Sequence, residues 1–332
     1  MFTLLRTAFS FFIFALTVSA ASEENITKQI DATPGGKLIV DVEFGAIDVA
    51  PGADNQVAVE AHRKIDFGDE AIEKEYFSAV PVTVTSDGNV ITVRARGAKQ
   101  KNSWNFGHSE THGRYTIHVP KKFETDLRSD SGDISVGEIS GNTTVETDGG
   151  KLAFKQLEGR LSAHTSGGSI EVEGCRGPTR IETSGGDIIV AAGTGTLDPR
   201  TSGGRIDVRN FFGATQVITS GGNLELQKIS GEIVGKTSGG SIHAALRADV
   251  MDDVQLQTSA GNIDVSLSAN ATVDIDASSI RGRIFSGLPL EATGVHSEHL
   301  RGKLNGGGTS VKLETSAGNI TIKPPSTEVA SR

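Results

Sequence analysis

Apolar and polar residues alternate in short bursts along the middle of this chain, and the bursts return at a fixed distance. Ile134/Val136, Leu152/Phe154, Ile170/Val172, Ile188/Val190, Ile206/Val208 and Leu224/Leu226 each lie 18 residues beyond the preceding pair. A period of two is strand geometry with one face buried. A second set follows in each unit: Thr143/Val145, Leu161/Ala163, Thr179/Ile181, Leu197/Pro199, Thr215/Val217 and Ile233/Gly235. In it a large first member tends to alternate with a large second member, as side chains stacked in a narrow interior must to avoid voids. A third file holds Ile139, Leu157, Cys175, Gly193, Phe211 and Ile229.

The punctuation has the same period. The phrase "TSGG" and its variants place a hydroxyl residue at Ser129, Thr147, Thr165, Thr183, Thr201, Thr219 and Thr237, then Thr258 and Ser279, with "TSAGNI" again at Thr315. Glycines recur at Gly132, Gly150, Gly168, Gly186, Gly204, Gly222 and Gly240, and nine residues after the first six of these at Gly141, Gly159, Gly177, Gly195, Gly213 and Gly231. Glycine at a constant point of every unit marks a turn that needs positive φ or close backbone approach. Each unit therefore turns twice, and no unit can bury its own apolar face. Stacking the units buries all of them. The expectation is an all-β, single-stranded parallel β-solenoid (β-helix) with 18-residue coils and irregular capping coils at both ends. Opposite charges one unit apart, Lys155 with Glu173 and Asp187 with Arg205, fit in-register stacking.

Residues 1–20 read as a signal peptide: Arg6, an apolar run, then Val18-Ser19-Ala20, with cleavage after Ala20. Residues 21–120 read as irregular β-coils forming an N-terminal cap, with an inserted loop at 97–113 and a charged segment, "DEAIEKEYF", compatible with a short helix. Residues 121–326 form the regular solenoid and its closing coil, and 327–332 a disordered tail. The stretches "GKLIVDVEFGAIDVAP" and "IHVPKKFETDLRSDSGDISV", the "TSGG-x-I" series and the closing "TSAGNITI" resemble the DUF4097 family of adhesin-like, β-strand-repeat exported proteins. That resemblance, over about residues 30 to 325, implies an exported or envelope-associated β-solenoid and brings no catalytic residues with it.

Composition narrows the function classes. The net charge of -9 and interspersed signs oppose a nucleic-acid partner. No apolar stretch follows the leader, so no transmembrane segment is expected after its removal, and an exported location, periplasmic or extracellular, follows. The single cysteine, Cys175, falls in an apolar file and reads as a buried, inert thiol. The threonine ladder reads as turn chemistry in preference to a water- or glycan-ordering face. Lys151 and Arg205 at the position after the glycine pair exclude a stack of calcium ligands. His108 and His112, with His118 as a third ligand, are the candidate metal residues, although Asn105, Gly107 and Gly113 place "HSETH" in a loop. Trp104 and Phe106 are candidate contacts for a glycan or protein partner. No catalytic motif and no cofactor motif is present. The reading is a secreted or envelope-associated, non-catalytic binding or scaffold surface for a glycan, envelope component or protein partner. A carbohydrate-active enzyme on the same scaffold and a self-associating structural element are the alternatives. Ile170→Asp is expected to cost several kcal/mol by enclosing an unpaired charge, and Glu171→Ser to be nearly neutral. Chemical denaturation of the two variants checks this; equal tolerance would reverse the inside–outside assignment.

Overall fold

The structure is a computed structural model that describes residues 22–97, 110–246, 252–296 and 298–325. Strand is the dominant element of the described chain, arranged in a 17-stranded and a 15-stranded sheet that face each other. Through the middle the pairing is parallel and in register at an offset of eighteen residues. Thr143 lies beside Leu161, Leu161 beside Thr179, and Thr179 beside Leu197 in one sheet; Leu152 lies beside Ile170, and Ile170 beside Ile188, in the other. Val172 is buried, whereas Glu171 reaches solvent. One hydrophobic cluster runs from Leu38 to Ile322 without interruption. At about 4.8 Å per strand, fifteen strands give a rod on the order of 70 Å long.

The interior is filled by complementary sizes. Gly235 occupies an inward position where an added Cβ would stand 2.9 Å from Leu256 and 3.4 Å from Leu224, so those leucines fill the space it leaves. Pro199 lies inside the strand Leu197–Thr201 and keeps its pairing with Ile181, but the ladder on its other side skips it. A missing N–H is tolerated there because the flanking pairs hold the strand.

The repeated phrase can now be read atom by atom. The Thr183 hydroxyl donates to the Gly168 carbonyl of the preceding coil at 2.8 Å and accepts from the Gly186 N–H of its own turn at 3.3 Å. Thr165, Thr201, Thr219, Thr237 and Thr258 do the same. These threonines are buried. The two glycines of each pair differ. A Cβ on Gly186 would overlap the carbonyl of Gly168, whereas one on Gly185 would find its nearest neighbour at 3.7 Å. The half-repeat glycines are of another kind: Gly141, Gly159, Gly177, Gly195, Gly213 and Gly231 have φ between +98° and +157°. The second glycine of each pair is needed for proximity, and the half-repeat glycines for both conformation and proximity, since a Cβ on Gly159 would stand 2.6 Å from the Gly141 carbonyl oxygen.

Stacking does not follow the chain at either end, which departs from the expected simple succession of coils. The strand Gly36–Phe44 lies between Val90–Ala95 and Phe123–Ser131, and Ala46–Pro51 lies between Glu110–Val119 and Ile134–Val136. At the far end Thr309–Thr315 lies between Val254–Thr258 and Val273–Ser279, and Ile320–Lys323 between Ile263–Ser266 and Ile284–Ser286. The segment expected to close the rod is thus one layer in. Hydrogen bonds give the same order: Thr315 Oγ1 donates to Gly261 O at 2.9 Å, and Ser279 Oγ to Gly318 O at 2.7 Å. Beyond these layers the pairing turns antiparallel, through Ser22–Asp31 on Gln56–Asp66, Thr83–Asp87 on Val90–Ala95, and His299–Leu304 on Val273–Ser279.

The charged segment forms the helix Glu70–Ala79. Asp69 caps it by accepting from the Ala71 and Ile72 N–H groups, Lys74 bonds Glu70 one turn back, and Pro81 follows its end. Residues 110–113, expected within the loop at 97–113, belong instead to the strand Glu110–Val119. Gly113 is there for packing: its Cβ would stand 3.0 Å from the Gly45 Cα. Gly186→Ala should lower stability by about 3 kcal/mol or more, while Gly185→Ala should stay within about 0.5 kcal/mol. Parallel thermal melts check the contrast, and equal effects would remove the close-approach account.

Candidate functional site

His112 and His118 both stand on the outward face of Glu110–Val119. Six residues of strand separate them by about 20 Å, so the structure does not bring them together as ligands. His108, Trp104, Phe106 and the Ala20 cleavage point lie outside the described residues. Among the described residues no group of three or more His, Cys, Asp or Glu side chains is arranged to hold a metal ion. Cys175 is buried between its neighbours in the third file, and burial pushes its thiol up. No described helix is long and apolar enough to cross a membrane.

Two polar arrangements among the described residues border concavities on the outer faces. The first is a vertical stack in the 17-stranded sheet, where Glu225, His243 and Asp264 occupy the same register position on successive coils. His243 Nδ1 is 3.1 Å from Asp264 Oδ2, and Nε2 is 4.0 Å from Glu225 Oε1. The stack borders a pit of about 130 Å³ with Gln227, Ser266 and Lys323. The imidazole nitrogens point along the file to the two carboxylates. Asp207, next in the file, is buried under the Arg209 guanidinium, with bonds of 2.9 and 2.6 Å. Two carboxylates, Glu225 and Asp264, line the pit.

The second is a groove of about 380 Å³ at the N-terminal end. Its floor is Gly45, Gly113 and Gly132, and its walls include Phe44, His62, His112 and Arg114. His62 and Arg114 are cross-strand neighbours. Asp48 forms an ion pair with Arg114 and accepts from the Ser135 hydroxyl at 2.6 Å, which fixes the guanidinium from outside the groove. His62 Nδ1 is 2.7 Å from Asn25 Oδ1.

A second small core supports this end. Ile65, Tyr76 and Val80 pack with Phe44, Phe67 and Phe77. Arg63 is buried here, bonded to Glu24 and 5.0 Å over the Phe77 ring; its Nη1 finds no hydrogen-bond partner among the described residues. The Tyr76 hydroxyl donates to Glu43 at 2.8 Å. Burial, then the Glu43 carboxylate, pushes Tyr76 up. Burial pushes Tyr115 up to about 12.

Sequence reasoning missed several acceptors on the turns. Asp187 Oδ1 accepts from the Arg205 backbone N–H at 2.7 Å, so that expected charge pair is a carboxylate–amide bond. Asp133 to Lys151 and Asn223 to Ser241 repeat it. The signal was present as Asp and Asn recurring in the position after the glycine pair. The Lys155–Glu173 ion pair does form.

Glu73 ties the first strand to the helix. It is buried and accepts from the Ser22 hydroxyl at 2.7 Å, the Ser22 N–H at 3.2 Å and the Phe67 N–H at 2.8 Å. Burial pushes its carboxyl up, but the three hydrogen bonds outweigh that and hold it below the usual carboxylate range. A depressed folded value means that the contribution is complete above the ordinary glutamate range and is lost as pH falls through the folded value. Glu73→Gln is therefore expected to be less stable at neutral pH and to lose less stability on acidification than the parent. Melting temperatures at pH 7 and pH 3.5 check this, and unchanged acid sensitivity would refute it.

The family model described as Toastrack DUF4097 matches residues 37–323. Among solved structures, a candidate adhesin from Bacteroides fragilis is 13% identical, over 92% of this chain and 98% of its own, with a TM-score of 0.32. One from Parabacteroides merdae is 12% identical over 91% and 97%, with a TM-score of 0.33. A structure from Parabacteroides distasonis described as a candidate lipid-binding protein is 11% identical over 91% and 97%, at 0.29. TM-scores this low do not establish a common fold. A search of curated proteins gives no match. The family model reaches from the first coil-forming strand to the last one and takes in the glycine file between them, and the chain belongs to the Toastrack DUF4097 family.

Proposed function

We propose that the protein is an exported, non-catalytic binding or scaffold protein that presents its outer faces to a glycan or envelope component. The observation that carries this reading is the regular spacing of outward side chains, which stand in files at the strand repeat and are tied between coils. Lys151 pairs with Glu171 at 2.7 Å and Arg176 with Glu158 at 3.1 Å, and Arg200 reaches Gln216 at 2.9 Å. Each exposed pair contributes only about 0–1 kcal/mol to stability. Their effect here is to hold side chains in place, and a preorganised surface loses less entropy when a partner binds. A polymer with its own repeat suits such a surface. Trp104 and Phe106 remain the proposed aromatic contacts. The "MFTLLRTAFSFFIFALTVSA" leader supports export.

A second reading, a carbohydrate-active enzyme, draws on the Glu225–His243–Asp264 stack, where an imidazole is oriented by one carboxylate and approached by another. One experiment separates the two. Mature protein is applied to an array of envelope and extracellular glycans, and the same glycans are incubated with it and analysed by mass spectrometry. Retention of at least one glycan class without cleavage is expected, with weaker retention for Trp104→Ala. A silent array would overturn the glycan reading, and cleavage abolished by Asp264→Asn would establish the enzyme.

A further inference from the structure

We infer that the N-terminal groove is a binding site for an anionic sugar, a unit bearing a carboxylate or a sulfate. This deepens the binding reading above and rests on it. Size favours the groove over the His243 pit: about 380 Å³ falls within the range of small-ligand sites, and about 130 Å³ does not.

The floor is bare backbone by necessity. A Cβ on Gly45 would stand 2.8 Å from the Gly113 backbone, and one on Gly132 would overlap the Gly45 carbonyl, so no side chain fits at these turns. A flat floor with the half-buried Phe44 ring beside it offers a surface on which a sugar ring can lie. Donors surround it. His62, His112 and Arg114 line the groove, and among the described residues no carboxylate does. The acid nearest in role, Asp48, holds Arg114 from outside through its ion pair. That contact positions the guanidinium and leaves its remaining N–H groups as donors, of the kind that binds carboxylates and sulfates strongly. Thr111 and Ser131 add hydroxyls that serve hydroxyl groups of a sugar.

The chemistry comes from four chain segments that are remote in sequence: Phe44–Gly45, His62, Thr111–Arg114 and Ser131–Gly132. The first coil's position between two later ones is what brings them together.

The test is calorimetric titration of the mature full chain with three probes: an oligogalacturonate, the same oligomer methyl-esterified, and a sulfated oligosaccharide. Binding by one or both anionic probes is expected, with the esterified oligomer much weaker; which anionic probe binds distinguishes uronate from sulfate. Arg114→Gln and His112→Gln should each weaken binding on the order of tenfold or more, with melting temperature as the folding control. His243→Gln, on the other arrangement, should bind as the parent does. His112 is exposed, so His112→Gln keeps the test decisive if Arg114→Gln does not fold. Undiminished binding by folded groove variants would overturn the inference and leave the binding reading intact. Retention of only neutral glycans would do the same, whereas no glycan binding of any kind would overturn the reading itself.

Discussion

The contact on which the molecule depends is the seating of one coil's turn on the carbonyl of the coil before it. The second glycine of each pair has no room for a side chain, because the space a Cβ would take is filled by the preceding glycine's carbonyl oxygen. The neighbouring threonine hydroxyl then donates to that same carbonyl and accepts an amide of its own turn. Each hydrogen bond of this kind contributes about 1 kcal/mol net, but its repetition satisfies polar groups that the stack has buried. Without the seating the turns would stand apart, and the strands they connect could not reach parallel pairing distance. The threonine is buried for this reason, and its ladder faces the interior.

Packing and electrostatics follow from that spacing. Once like positions are superposed at the strand repeat, inward residues must be compatible with themselves one layer up and down. Gly235 beneath Leu256, and Cys175 between Leu157 and Gly193, show how size is exchanged between layers. On the outside the same superposition would stack like charges. The chain limits this by alternating sign, as at Lys155 and Glu173, by turning an acid onto the next coil's amide, as Asp187 does, or, where Asp207 stacks on Glu225, by pairing Asp207 with Arg209.

The coil and the sidedness of Val172 and Glu171 were legible because both derive from periods of two and eighteen residues, which a linear sequence displays directly. The order of the coils was not. Any coil offers the same parallel edge to any other, so sequence spacing cannot tell whether Ser279 follows Thr258 or stands beyond Thr315. The groove was hidden for a related cause, since it joins residues near 45, 62, 112 and 131 that share no local pattern. Gly113 misled in an instructive way. A glycine among polar residues signals a loop, yet here it belongs to the close-approach file, and His112 and Arg114 flank it on a strand. The buried cluster around Arg63 and Glu73 was illegible because its helix, edge strand and first coil meet only in three dimensions.

The two interleaved layers give the rod locked extremities and a variable middle. The first and the last stretch of chain to enter the stack are each clasped between layers that remain covalently continuous around them. Unravelling from a terminus would require extraction of a sandwiched slice, with ladders broken on both of its edges at once. Between these locks, the repeats from Thr165 to Thr237 make the same threonine bonds and are interchangeable in that respect. Gene-level loss or duplication of whole eighteen-residue modules there would shorten or lengthen the molecule by one strand spacing each and leave both fastenings untouched. Reach is therefore a quantity this architecture lets evolution adjust in integer steps.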